Sequence, residues 1–158
     1  MHHRHLGNSR VHIALAITGP QWLSDAYLVP LIETAHRLGI PIHGPILESV
    51  YQKMYAEKLL KKTVFEHFFE LGFLGTHTSF AHCVWVNERD VDILARTGAT
   101  VVHCPSSNLR VYDGISPVRA MLEKGVHVAM AVDSEGINDD DDTFQEMRLA
   151  LLDRKSVV

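Results

Sequence analysis

The chain has 158 residues, a hydrophobic fraction of 46%, a charged fraction of 22% and a formal net charge of -4, which fits one soluble globular domain with its own core. This negative balance excludes a nucleic-acid surface, because phosphate binding needs clustered Lys and Arg. No apolar run approaches the roughly 20 residues of a membrane span, and the first residues lack the apolar centre of a signal peptide. Cys83 and Cys104 lie in apolar runs, so we expect no disulfide and a cytoplasmic protein.

Short apolar runs alternate with amphipathic stretches along the chain. Five β-strands are predicted, at residues 11–17, 40–47, 79–84, 99–104 and 126–132. Helices are predicted after them, at residues 24–38, 49–71, 88–96, 116–124 and 143–152. Asn87 is a predicted N-cap, and glycines follow the first, third and fourth helices. The chain therefore reads as a single domain, with a leader at residues 1–10, βα units at 11–152 and a tail at 153–158.

Strands separated by helices predict right-handed crossovers and a parallel α/β sheet. The sheet can close in two ways: as an open doubly wound sheet, or as part of a (β/α)8 barrel. A complete barrel takes about 250 residues, so five βα units are a little over half of one. A doubly wound nucleotide-binding sheet should carry a glycine-rich phosphate loop after its first strand, whereas this strand is followed by Thr18-Gly19-Pro20-Gln21-Trp22.

Polar residues recur where the predicted strands end. Glu48 follows the second strand, His82 and His103 lie near the ends of the third and fourth, and Asp133 follows the fifth. Any one of them has an ordinary structural explanation, as a helix cap, a loop residue or a hydrogen-bonded core histidine. Because the carboxyl ends of parallel strands share one edge, we expect these side chains to converge on one pocket.

These residue types suit metal-assisted hydrolysis. A divalent metal lowers the pKa of bound water toward about 7. Asp133 would bind the metal and take the proton from the water, and Glu48 would carry a proton to the leaving nitrogen. His82 would hold the water or the developing oxyanion.

Three segments resemble the amidohydrolase superfamily, in particular its branch of cytosine deaminases, guanine deaminases and triazine chlorohydrolases. They are Phe80-Ala81-His82-Cys83-Val84-Trp85, His103-Cys104-Pro105-Ser106-Ser107-Asn108-Leu109, and Val132-Asp133-Ser134 followed by the acidic residues 139–142. The resemblance implies barrel strands four to eight and one divalent metal, zinc or iron. It places the metal-binding general base on Asp133, the histidine near metal and substrate on His82, and the proton-shuttling glutamate on Glu48.

The resemblance also implies a small heterocyclic substrate, deaminated or dechlorinated. Gln21 and Trp22, after the first strand, and Asn108, after the fourth, are the predicted substrate contacts. Nucleic-acid and membrane partners are not expected.

The chain departs from the family pattern at two metal-binding positions. The family's metal-binding His on strand five lies three residues before the glutamate, which is Pro45 here, with His43 as a possible substitute. The family's HxH pair on strand one has no counterpart, because the similarly spelled His3-Arg4-His5 follows no apolar strand. We therefore expect an incomplete metal site, and a chain that forms homo-oligomers or depends on a missing N-terminal half of the barrel.

Three hypotheses follow. The chain could belong to a hydrolase that needs further strands for activity. It could be a non-catalytic α/β half-barrel that has lost the metal site. It could be an unrelated open-sheet module that binds a nucleotide or flavin.

Overall fold

The structure is a computed structural model that describes residues 10–19, 22–134, 136–138 and 141–156. Its strands are β1 Leu15–Ala16, β2 Ile42–Ile46, β3 Thr78–His82, β4 Thr100–His103 and β5 His127–Met130. Its helices are α1 Asp25–Leu38, α2 Val50–Leu59, α3 Val64–Glu70, α4 Glu88–Thr97, α5 Pro105–Arg110, α6 Val118–Glu123 and α7 Thr143–Ser156. The predicted alternation of strands and helices is therefore confirmed.

Four predicted boundaries were wrong. The single helix predicted at 49–71 is two helices, because Lys61 adopts a left-handed φ of 58° and Thr63 forms a capping box with Glu66 that starts α3. The loop predicted after the fourth strand contains α5, which has proline at its first position. Only two residues of the predicted first strand pair with β2. The last helix continues to Ser156, into the predicted tail.

The five strands are parallel and lie in sequence order, β1-β2-β3-β4-β5. A doubly wound sheet reverses its strand order at a switch point and carries helices on both faces. Here one face is covered, with Ile42 and Ile46 fully buried, while His43, His127 and Ala129 on the opposite face are exposed. This sequential, one-sided arrangement is that of adjacent βα units of a barrel, whose inner face is the exposed one.

The core lies between the covered face of the sheet and the helices. Phe80 of β3 is fully buried, and its ring centroid lies 5.3 Å from that of Phe65 and 5.9 Å from that of Phe73, both edge to face. Gly44 of β2 faces the backbone of Ile17, where a Cβ would approach the carbonyl oxygen to 2.6 Å. The close approach of β1 to β2 therefore requires glycine at this position.

Within the described ranges, no helix is both long enough and apolar enough to cross a bilayer.

Candidate active site

Three of the predicted residues meet at the carboxyl edge of the sheet. His82 Nε2 lies 3.9 Å from Glu48 Oε1 and 3.9 Å from Asp133 Oδ2. The His82 side chain is 5% exposed, whereas those of Glu48 and Asp133 are 31% and 26% exposed. The structure therefore places a buried imidazole next to two partly buried carboxyl groups. We call Glu48, His82 and Asp133 the rim cluster.

The backbone is strained where the rim cluster is built. Leu47, His82 and Asp133 have left-handed φ values of 48°, 70° and 73°, which are unfavourable for residues with a Cβ. Hydrogen bonds from Val84 N and Trp85 N to Leu47 O, both 3.0 Å, hold the end of β2 to the end of β3. Such strain persists only where the surroundings impose it, and it is concentrated at functional sites.

The orientation of the His82 ring is fixed by Asn108. Nδ1 of His82 lies 2.9 Å from Oδ1 of Asn108, whose side chain is 1% exposed. Since an amide oxygen only accepts, Nδ1 donates to Asn108 Oδ1, and Nε2 is the nitrogen that faces the two carboxyl groups. Asn108 was predicted as a substrate contact; the structure places it behind His82, and a substrate contact stays a prediction.

Asp133 is held by a residue that the sequence reasoning had not singled out. Ser107 Oγ donates a hydrogen bond of 2.6 Å to Asp133 Oδ2, and Ser107 is fully buried. The sequence signal was present, because Ser107 lies inside the His103-to-Leu109 segment that carries the family resemblance. Its partner could not be read from the sequence, because the contact spans 26 residues.

A second unpredicted residue, Glu146 of α7, supports the start of α5, the helix that contains Ser107. Its side chain is fully buried. Its carboxylate accepts hydrogen bonds from Ser106 N at 3.0 Å and from Asn138 Nδ2 at 2.8 Å. Asn138 Nδ2 also donates to Ser106 Oγ at 3.0 Å. Glu146 thus ties the loop after β4 and the loop after β5 to one helix.

A third unpredicted residue, Asp113, lies in the loop between α5 and α6. Burial, together with the charges of Glu48 and Asp133, raises the pKa of Asp113 to about 6, against a smaller opposing effect of His82. The side chain is 9% exposed. The site therefore contains one carboxyl group more than the sequence reasoning assigned to it.

His103 is buried beneath this edge of the sheet, and its charge state predicts a pH effect on stability. Burial and the nearby His82 lower the pKa of His103 to about 4, against the opposing effect of Glu146. The unfolded chain, with an ordinary pKa near 6.5, then binds a proton between pH 6.5 and 4 that the folded chain does not. The stability from this group is therefore complete above pH 6.5 and falls as the pH drops toward 4, by about 2–3 kcal/mol.

The measurement compares the free energy of unfolding of the wild type and of His103→Gln at pH 7 and pH 4. The difference between the two proteins should shift against the wild type at pH 4, since the variant has no imidazole to protonate. A difference that does not change with pH would contradict a neutral buried imidazole.

Of the two remaining predicted substrate contacts, Trp22 is exposed and Gln21 lies outside the described residues. The Trp22 side chain, in the loop after β1, is largely exposed at 73%. Gln21, like His3 and His5, falls outside the described residues. Substrate contacts by Gln21 and Trp22 stay predictions.

Among the described residues, the metal site that the resemblance implies is incomplete. Among the described residues, no three His, Cys, Asp or Glu side chains are placed to hold a metal ion. The strand-five ligand position is Pro45, whose register partner is Ala81. His43 pairs with Ser79, three residues before His82, and its Nδ1 lies 2.8 Å from Ser79 Oγ. At about 3.3 Å per residue, His43 lies roughly 10 Å below the rim cluster and does not replace the missing ligand.

The fold and the site together define a class: adjacent βα units of a (β/α)8 barrel, with acid–base residues at the carboxyl edge where such barrels build their active sites. The chain belongs to the amidohydrolase family, whose model matches residues 4–157.

Individual relatives agree with this membership. The chain is 33% identical over 150 residues to the 5'-deoxyadenosine deaminase of Methanothermobacter thermautotrophicus, covering 95% of this chain and 35% of the relative. It is 32% identical over 154 residues to a 5-methylthioadenosine/S-adenosylhomocysteine deaminase of Halalkalibacterium halodurans, covering 96% and 35%. The chain thus spans about a third of the length of these relatives.

Solved structures agree on the fold. An adenosine deaminase of Xanthomonas campestris with bound zinc superposes with a TM-score of 0.94 at 26% identity, covering 99% of this chain and 36% of the other. The zinc-bound atrazine chlorohydrolase of Arthrobacter aurescens superposes with a TM-score of 0.82 at 21% identity, covering 89% and 31%. The predicted partial barrel is thereby confirmed, and the open-sheet alternative is wrong.

Proposed function

We propose that this chain supplies the proton-transfer side of the active site of a metal-dependent amidohydrolase that deaminates an amino-substituted nitrogen heterocycle. The observation that carries the proposal is the rim cluster, in which Nε2 of a buried imidazole lies 3.9 Å from an oxygen of each of two carboxyl groups. The two curated relatives described above, at 33% and 32% identity, are deaminases of adenosine derivatives, which favours deamination. The similarity to the chlorohydrolase, at 21% identity, supports the fold alone, so dechlorination has less support than deamination.

In this proposal each residue of the rim cluster moves or holds a proton. Nε2 of His82 accepts a hydrogen bond from the attacking water, because Asn108 keeps the hydrogen on Nδ1. Asp133, oriented by Ser107, accepts the proton that the water loses. Glu48 donates a proton to the amino group, the C–N bond breaks and ammonia leaves. The water's oxygen remains on the ring, one of its protons leaves with the nitrogen, and the other stays on the product.

The described residues do not by themselves fit a catalytic metal site, which usually has three protein ligands and an open position. We propose that Asp133 is one ligand of a zinc or iron ion and that the others come from barrel strands outside this chain. The exposed inner face of the sheet, which includes His43 and His127, is where those strands would pack. Alternatively, a second copy of this chain would cover the exposed inner face in a homo-oligomer.

Pro45→His tests the metal part of the proposal. A histidine here would stand three residues before Glu48, on the face of β2 that carries the exposed His43. We expect it to raise the affinity of the isolated chain for zinc by at least about tenfold, on the scale of one added or supported ligand. Titration calorimetry with zinc, at a pH above 7 where imidazole is neutral, measures the change.

Two controls make the result specific. Asp133→Ala in the Pro45→His background should abolish the gain, and Val29→His, on the half-exposed side of α1, should produce none.

The second candidate function is a non-catalytic half-barrel that has kept the scaffold and lost the metal site. Proline at the ligand position favours it. If the affinity of Pro45→His for zinc equals that of Val29→His, this reading replaces the enzymatic one.

A further inference from the structure

Asp113 has a backbone that is held firmly in place. Its N–H donates to Asn108 O at 2.9 Å, and its carbonyl oxygen accepts from Trp85 Nε1 at 2.8 Å. Ser116, three residues on, donates to Cys83 O at 3.1 Å. The loop that carries Asp113 is therefore attached to the segment that follows β3, beside His82.

The Asp113 carboxyl group, in contrast, has one oxygen without a hydrogen-bond partner among the described residues. Its side chain is 9% exposed, and Oδ2 is buried without a hydrogen-bond partner among the described residues. Buried polar atoms are nearly always paired, and an unpaired one costs about 1–3 kcal/mol. A group retained at such a cost needs a function that offsets it.

Asp113 lies next to the rim cluster, because its N–H donates to Asn108 O and the side chain of Asn108 binds His82. Asp113 interacts electrostatically with Glu48, His82 and Asp133, which come from three other parts of the chain. Three carboxyl groups around one imidazole repel phosphates and carboxylates. They attract hydrogen-bond donors, such as the N–H groups of an amino-substituted ring.

We infer that Asp113 contacts the substrate directly, accepting a hydrogen bond from an N–H group of an uncharged amino-heterocycle such as an unphosphorylated nucleoside. The inference deepens the proposed function and rests on it. It makes Asp113 a specificity residue: the contact selects rings that carry N–H groups and disfavours phosphorylated nucleotides.

The test measures two quantities on the whole chain, the affinity for 5'-deoxyadenosine by titration calorimetry and the melting temperature without ligand. Asp113→Ala should weaken binding at least about tenfold, as expected when a polar contact to a donor is lost. Its melting temperature should stay the same or rise, because the unpaired oxygen is gone. Asp113→Asn keeps an acceptor oxygen and should bind within about threefold of the wild type. Asp92→Ala, a half-exposed carboxylate on α4 paired with Lys124, is the matched control and should leave binding unchanged.

The outcomes separate the inference from the proposed function. Wild-type binding that Asp113→Ala leaves intact overturns the Asp113 contact and leaves the proposed function standing. Weaker binding together with a lower melting temperature assigns Asp113 a structural role and also overturns the contact. If the wild-type chain binds no 5'-deoxyadenosine while Pro45→His still gains zinc affinity, the substrate class is wrong, and the Asp113 inference fails with it.

Discussion

Phe80→Ala should lower the free energy of unfolding by about 3–5 kcal/mol, the cost of emptying a buried phenylalanine site. Phe80 is fully buried and shares edge-to-face contacts with Phe65 and Phe73. Because β3 is the central strand of the sheet, the resulting cavity lies where the strand and helix layers meet and cannot be filled by a surface movement. Chemical denaturation measures the loss.

Phe69→Ala is the matched control for this substitution. Phe69 is 45% exposed and contacts Arg96, whose guanidinium carbon lies 5.4 Å from the ring centroid. An exposed cation–π contact is worth about 0.5–1 kcal/mol, so this variant should lose no more than about 1 kcal/mol. Equal losses of stability for Phe69→Ala and Phe80→Ala would show that the contacts of Phe80 with Phe65 and Phe73 are not the centre of the core.

Local sequence signals predicted the parallel sheet and the edge at which Glu48, His82 and Asp133 meet. Five apolar runs separated by helical stretches fixed the parallel order, and strand ends share one edge in any parallel sheet. Glu48, His82 and Asp133 were therefore expected together, and the structure brings them together. Their catalytic and metal-binding roles stay proposals, because proximity alone does not assign a role.

Features that depend on distant parts of the chain were missed. The hydrogen bond between Ser107 and Asp133 joins residues 26 positions apart, and that between Ser106 and Glu146 joins residues 40 positions apart. No local sequence pattern therefore predicts either contact. Asp113 reads as an ordinary turn residue before glycine, and only its burial beside the rim cluster distinguishes it. The break between α2 and α3 is different, because Thr63 and Glu66 have the spacing of a capping box and could have been recognised.

Glu146→Ala is the second substitution with a large expected effect. The carboxylate is fully buried and accepts hydrogen bonds from Ser106 N and Asn138 Nδ2. Hydrogen bonds to charged groups contribute about 1.5–3 kcal/mol each, and their removal leaves buried donors unpaired. We expect a loss of about 3–4 kcal/mol in the free energy of unfolding, measured by chemical denaturation. Glu146→Gln, which keeps one acceptor, should lose about half as much.

The same substitution should affect the site as well as the fold. Ser106 is held by Glu146, and its neighbour Ser107 orients Asp133. In the Pro45→His background, Glu146→Gln should therefore weaken zinc binding while the chain stays folded.

Glu123→Ala provides the comparison, because this carboxylate is 62% exposed and paired with Arg119, one turn away on the same helix. Such a surface pair contributes about 0.5 kcal/mol or less. If Glu146→Gln loses stability but binds zinc as its parent does, Asp133 keeps its position without this support. The helix after the fifth strand would then stabilise the fold without organising the active site.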